Sequence, residues 1–256
     1  MTESLAGKVA VVTGGGRGLG RAAALAFASA GASVVVVSRT EGEIRETAEL
    51  AGAGRGLAVP GDVSSPETAR LAVRGALERF GRLDILMNNA AVAGPFRRIA
   101  ELEDREWDAA LGVNLKGAFL FAREAIPHIG RGGAVINVTS GLGSFALSPF
   151  GMYCISKAGI NQLTRLLAQE LADTGIAVNG LDPGVMDTSM QEEIRGAGPE
   201  VLGRDTWGRF VAFREKGVLA PVEKTARLAV FLASPPDGVT GEIGDAAHFR
   251  RHGFRG

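Results

Sequence analysis

The stretch Lys8–Gly20, KVAVVTGGGRGLG, decides the fold of this chain. A short β-branched run, Val9–Thr13, leads into a glycine-rich turn, and alanine-rich sequence that favours a helix follows. Strand, glycine turn and helix in this order open a doubly wound α/β sheet and place a nucleotide site at the turn. The spacing Gly14-x3-Gly18-x-Gly20 differs from the common G-x-G-x-x-G fingerprint, and no Lys-Ser/Thr pair follows it. The turn therefore favours a dinucleotide over a nucleoside triphosphate.

The remainder of the chain continues this alternation of strands and helices. The strands are near-continuous apolar runs, which are typical of a parallel sheet covered on both faces by crossover helices. We predict a doubly wound, parallel α/β fold of about seven strands with helices on both faces, built as a single domain over residues 1–256. The predicted strands are Val9–Thr13, Ser33–Val37, a short one near Leu57–Pro60, Asp84–Asn88, Ala134–Thr139 and Ile176–Leu181, and the predicted helices are Ala22–Ala30, Glu41–Ala51, Glu67–Phe80, about 104–129 and Tyr153–Ala172.

Two longer connections, Gly141–Phe150 and Asp187–Ala220, interrupt the alternation. Long connections in compact domains are usually functional lids or disordered, so we expect residues 187–220 to form a substrate lid. Apolar side chains in these connections and next to them suggest a largely apolar substrate pocket, although ordinary core packing would explain several of them. The pocket candidates are Leu142, Phe145, Leu147, Phe150, Met186, Met190, Trp207 and Phe210.

Charge and composition exclude several classes of partner. Lys and Arg total 28 and Asp and Glu total 28, so the chain lacks the positive field that nucleic acid or anionic lipid requires. Cys154 is the only cysteine, and the first residues lack the pattern of a signal peptide. The longest uncharged run, Ala22–Ser38, has 17 residues and falls short of a membrane span. We expect a cytoplasmic protein without nucleic-acid or membrane partners, ending in a short basic, solvated tail at 247–256.

The residues that follow the second strand indicate which dinucleotide binds. An Asp or Glu at the end of this strand would accept hydrogen bonds from both adenosine ribose hydroxyls, but the chain has Ser38 followed by Arg39. Ser38 leaves room for a 2′-phosphate, and Arg39 and Arg17 supply permanent positive charge for it. This pattern favours NADP(H), with NAD(H) the less favoured cofactor. The alternative is that Arg39 is a surface charge paired with Glu41 or Glu43.

Ser140, Tyr153 and Lys157 form a candidate catalytic group. Tyr153 and Lys157 are four residues apart and share one helix face, and Ser140 follows a strand whose carboxyl end opens on the same crevice. Reduction of a ketone needs a proton for the developing alkoxide, and a neighbouring ammonium makes a tyrosine hydroxyl a better acid. Ser140 would hold the substrate oxygen against the Tyr153 hydroxyl. The alternative is a packed ring beside a solvated amine.

Taken together, these motifs resemble those of the short-chain dehydrogenase/reductase family, of the ordinary single-domain type with a Rossmann fold. The resemblance extends from about Gly7 to about Gly241. It rests on Thr13-Gly14-x3-Gly18-x-Gly20, Asp62-Val63, Asn88-Asn89-Ala90-Ala91, Asn114, Ser140, Tyr153-x3-Lys157 and Pro183-Gly184.

The family resemblance implies further roles. Asp62 and Val63 would lie by the adenine, and Asn114 would hold a water that links Lys157 to solvent, which completes an Asn-Ser-Tyr-Lys tetrad. Homodimers or homotetramers would pair helix faces around 114–129 and 155–171 across a two-fold axis. The cofactor-binding residues would be Gly14, Arg17, Gly18, Leu19, Gly20, Ser38, Arg39, Asp62, Val63, Asn89, Ala90, Ala91, Tyr153, Lys157, Pro183, Gly184, Val185 and Thr188.

The sequence thus predicts an NADP(H)-dependent oxidoreductase that transfers a hydride between nicotinamide and a ketone or secondary alcohol, with Tyr153 as acid and base. The alternative is a non-catalytic NADP(H)-sensing or scaffold protein, against which the complete tetrad argues. We expect no metal, because none of His128, His248 and His252 has a partner at a metal-ligand spacing.

Two features depart from the family pattern. Asp182 precedes Pro183, where a small residue is usual, and brings an unexpected carboxylate near the nicotinamide end. After Gly241 the family usually has a glycine pair behind an Asp, whereas this chain reads EIGDAAHF over residues 242–249. The residues after Gly241 therefore do not predict the last strand of the family fold or a subunit contact built on it.

Overall fold

The computed structural model describes residues 4–256, and its seven strands form one sheet. The strands are β1 (Val9–Thr13), β2 (Ser33–Ser38), β3 (Gly56–Pro60), β4 (Leu83–Asn88), β5 (Ile129–Val138), β6 (Ala177–Leu181) and β7 (Ile243–Gly244). They lie in the order β3-β2-β1-β4-β5-β6-β7, and every neighbouring pair is parallel. The chain changes direction across the sheet between β1 and β4, which opens a crevice at the carboxyl ends of these strands.

Helices cover both faces of this sheet. They are α1 (Gly18–Ser29), α2 (Glu41–Leu50), α3 (Pro66–Phe80), α4 (Asp104–Leu111), α5 (Gly117–Ala125), α6 (Gly151–Glu170), α7 (Ser189–Gly196), α8 (Gly198–Leu202), α9 (Arg204–Glu215), α10 (Val222–Leu232) and α11 (Ala246–Phe249). Among residues 4–256, none of them combines the length and apolar composition that crossing a bilayer requires.

Two hydrophobic cores lie on opposite faces of the sheet. Ala10 and Val12 of β1 pack into one core with Phe27, whereas Val9 and Val11 pack into the other. This alternation follows from the period of two along a strand, and it explains why every residue of β1 is buried. The predicted doubly wound parallel sheet of about seven strands is confirmed.

The region 104–138 differs from its predicted boundaries. The single helix expected over about 104–129 is divided into α4, a π-helical turn at Gly112–Lys116, α5 and a 3-10 turn at Ile126–His128. β5 begins at Ile129 rather than Ala134, and its register against β4 shifts after the first pair. Residues 130–132 are exposed and include two glycines, so no apolar run marks the start of this strand in the sequence.

The two long connections pack against each other beside the crevice. Residues 187–220 contain α7, α8 and α9, and the two ends of this segment meet where the Asp187 amide donates to the Ala220 carbonyl over 3.4 Å. In the other connection, Phe150 stacks on Phe210, with ring centroids 5.4 Å apart. Aromatic packing therefore joins the two connections.

The expectation of a solvated tail at 247–256 is wrong, because this segment packs against the core. Phe249 is fully buried and Phe254 is 6% exposed. Both rings contact Phe231 of α10, with centroids 6.3 and 5.6 Å away. The arginines at 250–255 predicted a solvated tail. Burial of two phenylalanine side chains nevertheless outweighs the entropic cost of ordering this short segment.

Candidate active site

The glycine-rich turn between β1 and α1 forms one wall of the crevice. Gly14 and Gly18 have φ angles of +66° and +53°, in the left-handed region that favours glycine. A Cβ at Gly20 would lie 2.1 Å from the Gly14 carbonyl oxygen, so the turn closes only without a side chain there. The open N-terminal end of α1 faces the crevice and provides main-chain N–H groups and partial positive charge for an anion.

Polar contacts from the neighbouring strand hold this turn. The Asn89 side-chain amide donates to the carbonyls of Thr13 (2.9 Å) and Gly14 (3.3 Å). In return, the Thr13 hydroxyl accepts from the main-chain N–H groups of Asn89 (2.9 Å) and Ala90 (3.1 Å). Asn89 therefore shapes the turn through side-chain contacts besides lining the crevice.

Most of the predicted cofactor residues line one continuous cleft of about 300 Å³. Five predicted site residues do not form its wall. Gly20 packs against the Gly14 carbonyl, Asn114 lines a smaller cavity that it shares with Lys157, and the other three are Ser140, Gly184 and Val185. The predicted residues that do line it are Gly14, Arg17, Gly18, Leu19, Ser38, Arg39, Asp62, Val63, Asn89, Ala90, Ala91, Tyr153, Lys157, Pro183 and Thr188.

Two arginines stand free at one end of the cleft. Arg17 and Arg39 are exposed and line the wall, and neither forms an ion pair within the described part of the chain. Glu41, one of the partners considered for Arg39, instead pairs with Arg45 along α2. The two free guanidinium groups are available to an anionic ligand, as a phosphate site requires.

Carboxylates also reach this end of the cleft. Glu43 lines the wall, and a Cβ at Gly16 would contact both Glu43 Oε2 (2.9 Å) and Ser38 Oγ (3.3 Å). The pKa of Asp62 is lowered, chiefly by a hydrogen bond from the Ser64 main-chain N–H and also by one from the Ser64 hydroxyl. The site therefore presents two negative groups beside its two arginines.

Tyr153 and Lys157 occupy successive turns of α6 at the opposite end of the cleft. Lys157 is 2% exposed, and its Nζ donates to the Val138 carbonyl over 2.8 Å. The same nitrogen lies 5.5 Å from the centroid of the Tyr153 ring. The alternative of a solvated amine is therefore wrong for Lys157, because its side chain is almost fully buried and its Nζ is bonded to the main chain.

Burial shifts the acid–base properties of this pair. Desolvation raises the pKa of Tyr153 to about 12, and a hydrogen bond with Ser140 opposes the shift. Desolvation lowers the pKa of Lys157 to about 8, and the nearby negative charge of Asp182 opposes it. Both shifts follow from the cost of charging a group away from water. Lys157 is thus mostly cationic at neutral pH, and Tyr153 holds its proton.

Asn114 lies in the π-helical turn and contacts the loop after β4. Its Oδ1 accepts from the Val92 main-chain N–H over 2.8 Å, and its Nδ2 donates to the Val92 carbonyl (2.9 Å) and Ser156 Oγ (3.1 Å). A π-turn adds one residue to a helix turn, and such turns are frequent at functional sites. The side chain of Asn114 thereby holds one wall of the cleft.

A small internal cavity of about 10 Å³ lies between Asn114 and Lys157, which is close to the volume that one water needs. Asn88 also lines it, and the Asn88 Oδ1 atom has no hydrogen-bond partner within the described residues. The Asn88 Nδ2 donates to Asn137 Oδ1 over 2.9 Å, which fixes the direction of the amide. Polar groups therefore surround this cavity on several sides.

Asp182 directly follows β6 and lies beside the catalytic group. Its Oδ1 accepts from the Gly184 main-chain N–H over 3.0 Å, and its own N–H donates to the Gly244 carbonyl over 2.8 Å. Burial raises the pKa of Asp182, against the opposing effect of that Gly184 hydrogen bond. Asp182 also acts on its neighbours, because its negative charge raises the pKa of both Tyr153 and Lys157.

An apolar wall continues from Tyr153 to the 187–220 segment. Seven of the eight pocket candidates are buried or partly buried, whereas Phe145 is 58% exposed. Cys154 is a buried packing residue in this wall. The cluster consists of Ala93, Phe96, Leu142, Leu147, Phe150, Tyr153, Cys154, Met190, Ile194, Ala197, Leu202, Trp207 and Phe210.

Comparisons with known proteins agree with this geometry. The family model described as short chain dehydrogenase matches residues 8–197. A short-chain type dehydrogenase/reductase of Picea abies is 37% identical over 90% of this chain and 87% of its own. The chain belongs to the short-chain dehydrogenase/reductase family. As in the family generally, the protein is an oxidoreductase that acts on CH–OH or C=O groups with a nicotinamide cofactor.

Solved structures of short-chain dehydrogenases/reductases share the fold. A 3-ketoacyl-(acyl-carrier-protein) reductase from Brucella melitensis complexed with NADH has a TM-score of 0.81 and 33% identity, covering 94% of this chain and 97% of its own. A short chain dehydrogenase from Burkholderia cenocepacia in complex with NADP has a TM-score of 0.79 and 28% identity, covering 94% and 96%. Because these neighbours hold different cofactors, family membership does not choose between NAD and NADP.

Sequence reasoning missed three residues that shape the site of this short-chain dehydrogenase/reductase. Thr13 and Glu43 were not among its site candidates, and neither was Asn161, which accepts from the Thr139 hydroxyl and donates to the Gly143 carbonyl (3.3 Å). A signal for Asn161 exists, because it lies four residues after Lys157 on the same face of α6. Glu43 carries no such signal, since only the packing of α2 beside Gly16 brings it to the cleft.

Proposed function

We propose that this protein is an NADP(H)-dependent oxidoreductase that interconverts a ketone and a secondary alcohol, with Tyr153 as acid and base. One observation carries the proposal. A single cleft joins the free guanidinium groups of Arg17 and Arg39 at one end to the Tyr153–Lys157 pair at the other. An anionic dinucleotide and a proton-transfer group are thus accommodated in one continuous space.

Bound NADP(H) would supply or accept the hydride, and the residues of the chain handle the proton. In reduction, the Tyr153 hydroxyl donates its proton to the substrate oxygen as negative charge develops there. Lys157 is cationic at neutral pH and stabilises the tyrosinate that remains. Ser140 hydrogen bonds with Tyr153 and would orient the substrate oxygen against it.

The proton that restores the Tyr153 hydroxyl would come from a water in the small cavity beside Lys157. The cavity shared by Asn88, Asn114 and Lys157 is large enough for one water, which would accept from Lys157 Nζ and donate to Asn88 Oδ1. We propose this path for the proton relay that the family resemblance assigns to Asn114. Because the Asn114 side chain is engaged with Val92, its main-chain carbonyl is the group that would face the water.

The substrate is a small carbonyl or alcohol compound with a largely apolar body. The apolar wall beside Tyr153 supports this assignment, and residues 187–220 would cover the substrate as a lid. We place the protein in the cytoplasm because its one cysteine is buried and free. We also propose a homodimer or homotetramer, with no nucleic acid or membrane as partner.

Substitution of Tyr153 by Phe tests the catalytic assignment. Y153F keeps the ring but removes the proton, so we expect normal NADPH binding and a loss of kcat of at least about 100-fold with a panel of apolar ketones. Nicotinamide fluorescence measures binding, and absorbance measures turnover. Retained turnover in Y153F would contradict the assignment. If the wild-type protein binds NADPH but oxidises it with no ketone, the non-catalytic sensing or scaffold function is correct instead.

Substitutions at the adenosine end test the cofactor preference. We expect R39A to weaken NADPH binding by about 10- to 100-fold and to leave NADH binding nearly unchanged, because only a 2′-phosphate engages this guanidinium. E43Q should strengthen NADPH binding, since a carboxylate beside Ser38 repels that phosphate. Equal effects of R39A on both cofactors, or tighter NADH binding by the wild-type protein, would favour NAD(H).

A further inference from the structure

A cluster of metal-ligand side chains lies at the C-terminal edge of the sheet, away from the cleft. The sequence interpretation gave no histidine a partner at a metal-ligand spacing, but this premise is wrong for His248 and His252. These residues follow a His-x3-His pattern, which is a metal-ligand spacing. The fold adds Glu242, and one ligand atom from each of the three lies within 4.8 Å of the others.

The backbone that carries these side chains is well anchored. Glu242 is held against β6, because its N–H donates to Asn179 Oδ1 over 3.1 Å and its carbonyl accepts from the Gly180 N–H over 2.8 Å. Asp245 caps α11 by accepting from the His248 N–H over 2.9 Å. The buried Phe249 ring then fixes the turn that carries His252. The cluster is therefore preorganised by main-chain and core contacts.

The three side chains all contact the same cationic group, the Arg251 guanidinium. Glu242 Oε2 and His248 Nε2 are 2.8 Å apart, and Arg251 Nη2 lies 2.7 and 3.0 Å from them. Arg251 Nε also donates to His252 Nε2 over 3.0 Å. The Arg251 side chain is 59% exposed, so it can move into solvent, and an ion pair this exposed contributes little. By contrast, the side chains of both histidines are less than 25% exposed.

We propose that Glu242, His248 and His252 form a binding site for a first-row divalent metal ion, with Zn²⁺ as the representative ion, which takes the place of the Arg251 guanidinium. Two imidazoles and one carboxylate suit Zn²⁺, Ni²⁺ or Cu²⁺ better than Mg²⁺ or Ca²⁺. Because three protein ligands leave a coordination position open, water completes the shell. The ion crosslinks Glu242, the residue before β7, to the C-terminal segment and thereby stabilises this edge of the sheet.

Metal titration of the full chain without an affinity tag tests the site. After EDTA treatment and its removal, calorimetry with ZnCl₂ should give one site per chain, and Zn²⁺ should raise the thermal midpoint. With Cu²⁺ as a second probe, electron paramagnetic resonance should show two nitrogen ligands. No binding at millimolar Zn²⁺, or a Cu²⁺ spectrum without two nitrogen ligands, would overturn the proposal.

Four variants separate a metal site from a purely structural Arg251 cluster. E242Q and H252A should weaken Zn²⁺ binding by at least about 10- to 100-fold. R251A should strengthen it by about threefold or more, because the competing cation is gone. The matched control H128A removes an exposed histidine elsewhere and should leave the affinity unchanged.

Circular dichroism checks the folding of each variant, and H252Q replaces H252A if the alanine variant does not fold. Wild-type Zn²⁺ affinity in both E242Q and the folded His252 variant would overturn the assignment. The proposal also fails if R251A binds Zn²⁺ more weakly than the wild-type protein, which is the result that a purely structural Arg251 cluster predicts.

Discussion

At the scale of single residues, Asp182 distinguishes this site from the usual family pattern. It stands where a small residue is usual, and its partly buried carboxylate acts electrostatically on Tyr153 and Lys157. A negative charge in a region of low dielectric stabilises the protonated form of every neighbouring group. With Asp182 present, both Tyr153 and Lys157 therefore keep their protons to a higher pH than they would without its charge.

Replacing Asp182 by Asn should move the pH profile of alcohol oxidation. Removal of the negative charge lowers the pKa values of both Tyr153 and Lys157, so the pair loses its first proton at lower pH. We expect the rising limb of kcat against pH, which reports ionisation of the base, to shift to lower pH in D182N. D245N is a matched control, since it removes a nearby carboxylate but keeps a residue that caps α11. An unchanged limb, or one at higher pH, would contradict this role of Asp182.

At the scale of elements, the β1–turn–α1 unit and α6 carry most of the site. Both are local in sequence: the turn requires glycines at fixed spacing, and α6 places Tyr153 and Lys157 on one face. Local stereochemistry also explains the limits of α3, where Ser65 Oγ accepts from the Glu67 N–H over 3.2 Å and Gly81 ends the helix at φ +79°. Elements of this kind are read directly from residue types.

A pair of glycine substitutions tests the close packing of the first turn. G20A places a Cβ 2.1 Å from the Gly14 carbonyl oxygen, so we expect a loss of about 1–3 kcal/mol in the free energy of unfolding and weaker NADPH binding. G42A introduces the same methyl group into open space in α2 and should increase stability by up to ~1 kcal/mol. Urea unfolding measures both. Equal stability changes in the two variants would show that the close approach of residue 20 to the Gly14 carbonyl does not require glycine.

At the scale of the whole molecule, exposed apolar side chains on α5 and α6 support self-association. Phe119, Ile155 and Leu166 are each more than 40% exposed, although most other apolar residues of their helices are buried or partly buried. Large apolar side chains on neighbouring helices, left open to water, are typical of a subunit interface. They lie on the two helices that the family resemblance assigns to pairing across a two-fold axis.

Charged substitutions on these helices should separate the subunits. We expect the double variant F119E/L166E to shift the mass measured by light scattering from an oligomer to a smaller species, because burying two carboxylates opposes association. V218E, which alters an even more exposed apolar residue in the 187–220 segment, should keep the wild-type mass. A monomeric wild-type protein, or an unchanged mass in F119E/L166E, would rule out this interface.

Much of the fold and the catalytic pair could be predicted because their signals are local. Apolar runs in the sequence predicted six of the seven strands. β7 was missed because a strand of two residues is too short to show an apolar run or an alternation. The start of β5 was missed for a similar reason, since Ile129 is followed by glycines and an exposed arginine rather than by an apolar run. The tetrad residues Asn114, Ser140, Tyr153 and Lys157 were identified by spacing and family resemblance, and their catalytic roles stay predictions.

By itself, the sequence determined the doubly wound sheet, the glycine turn and the Tyr153–Lys157 face, because each depends on residues that are neighbours along the chain or repeat with a helical or strand period. Only the tertiary structure decided that Arg39 is free, that Glu43 reaches the cleft and that the C-terminal segment is buried. The same holds for the approach of Glu242 to its two histidines. These features are contacts between separate elements, which depend on how helices and strands pack and leave no period or spacing in the sequence.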